Sequence, residues 1–244
     1  RDIIIESQSA APGTEARKVG DVYASFMDEA RINALGAAPI APLIAEAEKV
    51  SSIDEVLETL GRLERGGSSG FFQVFVDNDP GQPERYLVFL EQGGLGLPDE
   101  SYYREEKFAD IRTAYVAYLQ RMLTLAGLDD AAARAGRIFA LETELASHHW
   151  DNVTSRDSEK TYNPMLWSEA NALVGAVDLD VWLNALGVPD RSFDEVVVRQ
   201  PSFMSGLESV LTADHLDAWR DWLAWQVIRS NAAYLSQEFV DANF

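Results

Sequence analysis

The chain contains no cysteine, which excludes both disulfide staples and thiolate metal sites. That composition suits a bacterial cytoplasm and is also common among exported bacterial proteins. Histidine is scarce: His148, His149 and His215 are the three present, and no two stand four apart. The paired imidazoles of a His-Glu-x-x-His helix, which chelate one zinc from one face, are therefore missing. Basic residues number 20 against 40 acidic, a formal charge of −20. So acidic a chain repels phosphate backbones, and no basic stripe is present to track nucleic acid or an anionic membrane. The acidity reads first as a solubility device. No apolar run approaches the ~18 residues of a membrane span. The opening Arg1-Asp2-Ile3-Ile4-Ile5-Glu6 has too short an apolar core for a signal peptide and reads as the interior of a longer chain, cut in mid-helix. Internal repeats, low-complexity tracts, a clean interdomain linker and a Gly-x-Ser-x-Gly nucleophile elbow are all absent from the sequence.

What is present can form a core. Hydrophobic residues make up 47% of the 244 positions and aromatics 10%, which excludes overall disorder and allows either one large domain or a bipartite domain. Periodicity predicts a helix over 13–33, with Val19, Val22, Tyr23 and Phe26 on its apolar face. Pro39 and Pro42 open a second through Val50. Ser52 to Glu55 form a capping box for a third, which ends at Gly66-Gly67. Two short aromatic and β-branched runs, Phe71–Val76 and Tyr86–Leu90, then predict a β-hairpin at about 71–91 with a long loop. Phe108, Ile111, Tyr115, Tyr118, Met122 and Leu125 step by threes and fours, a helix seam that Gly127 ends. Asp129 or Asp130 caps the next helix, to about His148. A loop-rich stretch follows to Asn163, then two short helices. Val196–Val198 reads as a third strand, Pro201 opens a helix, and Thr212 caps a last long one. The predicted class is mainly α, a multi-helix lobe with a small antiparallel β-hairpin/sheet insertion.

Several clusters invite chemistry. Glu144 and His148 share a helix face with Asp151 just beyond, a set that could hold a divalent cation. The plainer reading makes His148 a helix-end residue that satisfies terminal carbonyls. His149-Trp150 reads as an anchor of the helix end in the core. Arg156-Asp157 reads as local packing in preference to a carboxylate clamp, and Tyr162-Asn163 before Pro164 as a turn. Asp77-Asn78-Asp79-Pro80-Gly81 lacks the glycine and the final acid of a calcium loop. Gly93-Gly94-Leu95-Gly96 is followed by no lysine, so it is no phosphate cradle.

The most constrained stretch is Gly93-Gly94-Leu95-Gly96-Leu97-Pro98-Asp99-Glu100-Ser101-Tyr102-Tyr103. Glycines end an apolar run, Pro98 stops any ladder, and Asp99 can cap a helix bearing two tyrosines. It resembles the Gly-Leu-Gly-Leu-Pro-x-x-x-Tyr-Tyr segment of the neprilysin/endothelin-converting-enzyme family of zinc metallopeptidases. A second block, Glu142…Leu145-Ala146…Arg156-Asp157…Tyr162-Asn163…Met165, is similar to the region that follows in bacterial members, and Lys18 to Met27 is weakly similar too. The resemblance spans essentially the whole chain. It implies a parent metalloendopeptidase in which two helical lobes enclose a cavity and zinc activates the water that cleaves oligopeptides. Residues 1–244 then form one partial, N-terminal, non-catalytic lobe that walls the substrate cavity. Its partners are peptide substrates and the C-terminal zinc-bearing lobe of the same polypeptide. Both ends look truncated against the family, the second at Val240–Phe244. No catalytic, metal-binding or substrate-binding residue is assigned in this chain, and no cofactor; the zinc is the parent's. The competing reading, from another class, is a free-standing helical module that grips peptides or a partner without cutting. The length of the encoded protein separates the two.

Overall fold

In the computed structural model, which describes residues 2–243, helices wrap a single four-stranded sheet. The N-terminal helices are α1 (Asp2–Ser7), α2 (Glu15–Phe26) and α3 (Glu29–Leu35). The helix expected over 13–33 is thus two, because Asp28 interrupts the turn after Met27 and accepts a bond from Arg31 N to start a new one. Its apolar face is not core: Val22 is 69% exposed and Phe26 58%.

Next come α4 (Ala41–Glu48) and α5 (Ile53–Arg65). Ser52 Oγ accepts from Glu55 N, while the Glu55 carboxylate reaches back to Ser51, one residue before the expected partner. Helix α5 buries Val56, Leu57, Leu60 and Leu63. The hairpin follows as β1 (Phe72–Asp79) and β2 (Gln82–Gln92). Its loop is shorter than expected, because both strands run on to a tight Pro80-Gly81 turn that Asp79 Oδ1 holds by accepting from Gly81 N.

After the turn come α6 (Ser101–Arg104), α7 (Ala109–Leu125) and α8 (Ala131–His148). Tyr115 and Met122 of the predicted α7 seam are buried, with Leu119 and Leu123 beside them, whereas Ile111 is largely exposed. Then follow β3 (Pro164–Leu166), α9 (Trp167–Ala172), α10 (Asp180–Leu186), β4 (Glu195–Val198), α11 (Pro201–Val210), α12 (Leu216–Asn231) and α13 (Gln237–Asn243). A short 3-10 turn separates Thr212 from α12, and Thr212 Oγ1 bonds His215 Nδ1 in place of capping the helix.

The sheet runs β1-β2-β4-β3 and is mixed, which corrects the antiparallel expectation. β2 pairs with β4 in parallel, Val88 with Val196 through Leu90 with Val198, while β1–β2 and β3–β4 are antiparallel. Parallel pairing requires a long crossover, and residues 93–194 supply it. One sheet face (Val88, Leu90, Val196, Val198) joins the helical core; the other holds a small cluster of Leu87, Phe89 and Val197. At the centre lies α12, whose Trp219, Trp222 and Trp225 are all buried. Arg134 and Arg137 of α8 clamp its buried Asp221 at 2.8 and 2.6 Å. A buried carboxylate between two guanidiniums needs both partners, so this contact fixes how α8 sits on α12.

Candidate functional site

The chain leaving β2 has no ladder beyond Gln92, so its backbone polar groups need other partners. Side chains from three separate regions provide them. His149 Nε2 donates to Gly93 O at 2.9 Å, Trp222 Nε1 to Gly94 O at 3.2 Å and Arg229 Nη1 to Leu95 O at 3.1 Å. Tyr103 Oη accepts from both Gly96 N and Leu97 N at 3.0 Å. Just upstream, Gln92 exchanges two side-chain bonds with the Trp150 backbone, 2.9 and 2.8 Å. Two glycines are needed for this. Gly94 has φ +88 with Phe71 Cα 3.3 Å from where a Cβ would sit, and a Cβ on Gly96 would lie 1.8 Å from Tyr115 Oη.

Behind the turn stands Glu142 of α8, fully buried. Tyr103 Oη donates to its Oε2 at 2.8 Å and Tyr115 Oη at 2.9 Å. The Tyr103 hydroxyl thereby uses its one donor and both lone pairs. Burial pushes the Glu142 carboxyl up to about 7, against the two tyrosine bonds and the nearby Arg229, which favour the anion. Burial likewise drives His149 down to about 4, so its ring is neutral at neutral pH. Asp99 does not cap α6 as expected: the N-cap is Glu100, without a side-chain cap bond, and Asp99 one residue earlier accepts from Ser101 N at 2.9 Å and from Asn152 Nδ2 at 2.7 Å, which pins the chain between Pro98 and the helix. Burial opposes ionisation of Asp99, but these bonds outweigh it and hold its pKa low.

The turn forms one side of a cavity of about 750 Å3. Gly93 to Leu95 and Leu97 to Glu100 line it with the edge of β1 (Phe72, Gln73, Val74), Trp150 and two α12 residues, Gln226 and Arg229. Glu64 from the end of α5 also faces it; burial raises this carboxyl to about 8, although the Trp182 indole donates to it.

The other residues singled out in the sequence lie elsewhere. Glu144, His148 and Asp151 do not come together as a cation site. Glu144 pairs with His215 at 2.9 Å, His148 Nε2 bonds Ser209 Oγ at 3.1 Å, and Asp151 accepts from Val153 N and Thr154 N in its own turn. His148 thus bonds a neighbouring helix and not the terminal carbonyls of its own. Among the described residues, no three His, Asp or Glu side chains converge as metal donors. His149 does anchor the helix end, its ring edge-on to Phe203 at 4.7 Å. Asp157 accepts from Glu159 N and Lys160 N within its own loop, and Asn163 Nδ2 donates to Val198 O, tying that loop to β4. Tyr162 donates to Asp79, which also takes Arg85 Nε at 2.7 Å. Sequence reasoning missed Glu142 as the closure of the turn, and Trp222 and Arg229 as its supports. The available signal for Glu142 was a carboxylate on the face defined by Ile138, Leu141 and Leu145.

The model of Peptidase family M13, for its N-terminal region, matches residues 1–244. The chain belongs to that family, whose N-terminal region it matches. Endothelin-converting enzyme 1 of Cavia porcellus is 25% identical over 257 residues, covering 98% of this chain and 33% of that protein. The crystal structure of Mycobacterium tuberculosis zinc metalloprotease Zmp1 in complex with inhibitor superposes with a TM-score of 0.92 at 37% identity, over 100% of this chain and 38% of that one. PepO from Lactobacillus rhamnosis shares the fold, with a TM-score of 0.81 at 20% identity, over 97% of this chain and 38% of its own. The chain therefore spans about a third of the length of the curated relatives it matches.

Proposed function

We propose that this chain is the non-catalytic lobe of a zinc-dependent metalloendopeptidase that cleaves oligopeptides, and that it walls the substrate cavity without itself performing hydrolysis. The observation that carries this reading is the motif turn, which is rigidly built as the rim of a peptide-sized cavity. Similarity over the whole of this chain to 38% of a zinc metalloprotease supports it. Among the described residues the three histidines bond Ser209, Gly93 and Glu144 and no three donors converge, which supports a reading in which hydrolysis is left to residues outside this chain. The ion and its general base belong to the C-terminal lobe of the same polypeptide. That lobe is also what we expect to cover the exposed apolar face of α1–α3, where Ile3 is 82% exposed beside Val19, Val22 and Phe26.

In this arrangement the chain's own contribution is positional. Its rim and sheet edge narrow access and hold a peptide near the catalytic lobe, so that binding and orientation precede chemistry. The test is to incubate the chain with oligopeptides and zinc, alone and joined to the rest of its polypeptide. Hydrolysis is expected from the joined protein only. Chelator-sensitive turnover by residues 1–244 alone would overturn the assignment.

A further inference from the structure

Three residues of α12 lie on one helical face turned toward the locked turn: Trp222, Gln226 and Arg229, spaced i, i+4, i+7. The outer two donate to turn carbonyls, at 3.2 Å to Gly94 and 3.1 Å to Leu95. Gln226 between them does neither. It is 1% exposed, it lies at the floor of the cavity, and among the described residues neither its Nε2 nor its Oε1 has a hydrogen-bond partner. An unpaired buried amide costs roughly 1–3 kcal/mol, and both halves of this one are unpaired. A methionine of similar shape would fill the same volume without that penalty, so packing alone does not account for a glutamine here.

We infer that Gln226 is the polar anchor of a peptide subsite in this cavity, taking the main chain of an extended, basic peptide segment. The inference rests on the reading of the chain as a cavity wall and names what that wall holds. A carboxamide offers one acceptor and a donor in one plane, which matches the C=O and N–H of a peptide group. The occupant is extended because the cavity also runs along β1, the edge strand, whose outer side carries no strand partner among the described residues. It is basic because the lining carries Glu91, Asp99 and Glu100 against Arg229: Glu91 and Glu100 are bridged to Arg199 and Arg104 at 3.4 and 2.9 Å, and Asp99, held by the uncharged Ser101 and Asn152, keeps an uncompensated negative charge. Five of the turn's own backbone groups, the carbonyls of Gly93, Gly94 and Leu95 and the N–H groups of Gly96 and Leu97, are already taken and do not compete for the same peptide group.

The experiment titrates fluorescein-labelled extended nonapeptides, one with lysine at both ends and one with glutamate, into the wild-type chain and Gln226→Met, read by anisotropy. Thermal unfolding of both proteins runs alongside. The expected result is saturable binding of the lysine peptide to wild type, about tenfold weaker binding to Gln226→Met and to the glutamate peptide, and an unchanged or raised Tm for the variant. Equal affinity for both proteins, or no saturation by about 1 mM, overturns the subsite. So does a lowered Tm or a failure of Gln226→Met to fold, either of which makes Gln226 a structural residue. The same substitution in the longer protein separates this inference from the reading beneath it. Peptide hydrolysis with an unchanged KM removes the subsite and leaves the wall, whereas a longer protein with no peptidase activity removes the wall reading itself.

Discussion

Gly96 has no room for a methyl group, because the Tyr115 hydroxyl, which is itself committed to Glu142, occupies the space. Gly96→Ala should therefore break the Tyr115–Glu142–Tyr103 network and destabilise the chain by about 2–3 kcal/mol. Gly136, in mid-α8 with nothing within 4 Å of where a Cβ would sit, makes the matched control. There alanine should stabilise by about 0.5–1 kcal/mol through helix propensity alone. Urea denaturation of the two variants checks both signs. At this scale the motif was legible in the sequence, since Pro98, Asp99 and the tyrosines constrain the local chain. Its closure was not. Glu142 is 46 positions beyond Gly96, and one carboxylate on an apolar helix face does not say which hydroxyls it will meet.

Among the elements, β4 shows what local pattern can and cannot reveal. Val196–Val198 reads as a strand from its β-branched run, and so it is. Its parallel partner β2 was hidden, because pairing direction depends on a crossover of about a hundred residues and not on the strand itself. β3 was hidden altogether: three residues beginning with proline become a strand only by lying along β4. The apolar stripe of α2 was legible and its exposure was not, since periodicity reports a stripe and not what covers it. The β2–β4 pairing is secured at one end by Arg85, which donates to both Glu195 oxygens at 2.8 and 2.9 Å and to Asp79 at 2.7 Å. Arg85→Met leaves two carboxylates facing each other, Asp79 without solvent access. Faster amide exchange is expected at 78–82 and 195–198, with exchange in α12 unchanged; uniform exchange across the chain would show that this contact does not act locally.

For the whole molecule, the titrating groups set a slope of stability with pH. Glu142 and Glu64 have folded pKa values of about 7 and about 8 against 4.5 unfolded. Raised carboxyls stabilise fully below 4.5, and that contribution is lost as pH climbs through 7 and 8. His149 works the other way: depressed to about 4 from 6.5, it favours the fold above 6.5 and withdraws that support as pH falls through 4. Asp79, lowered to about 2 from 3.8, matters only in stronger acid. Two groups thus outvote one between 4.5 and 6.5, and stability should peak near pH 5 and decline toward pH 8, by on the order of 5–10 °C in Tm. Calorimetry across that range checks it. Glu142→Gln should flatten the decline below pH 7, and an unaltered slope would assign it to other groups.

The turn between β2 and α6 has one more consequence. Exchange protection normally marks helices and ladders, and connecting loops give up their protons quickly. The amides of Gly96 and Leu97 sit in a connection, yet a single phenolic oxygen, itself tethered to a buried acid, holds both. In deuterated water these two protons should linger for as long as those of the central helix. To a label that senses only opening, this loop would be indistinguishable from the heart of the protein.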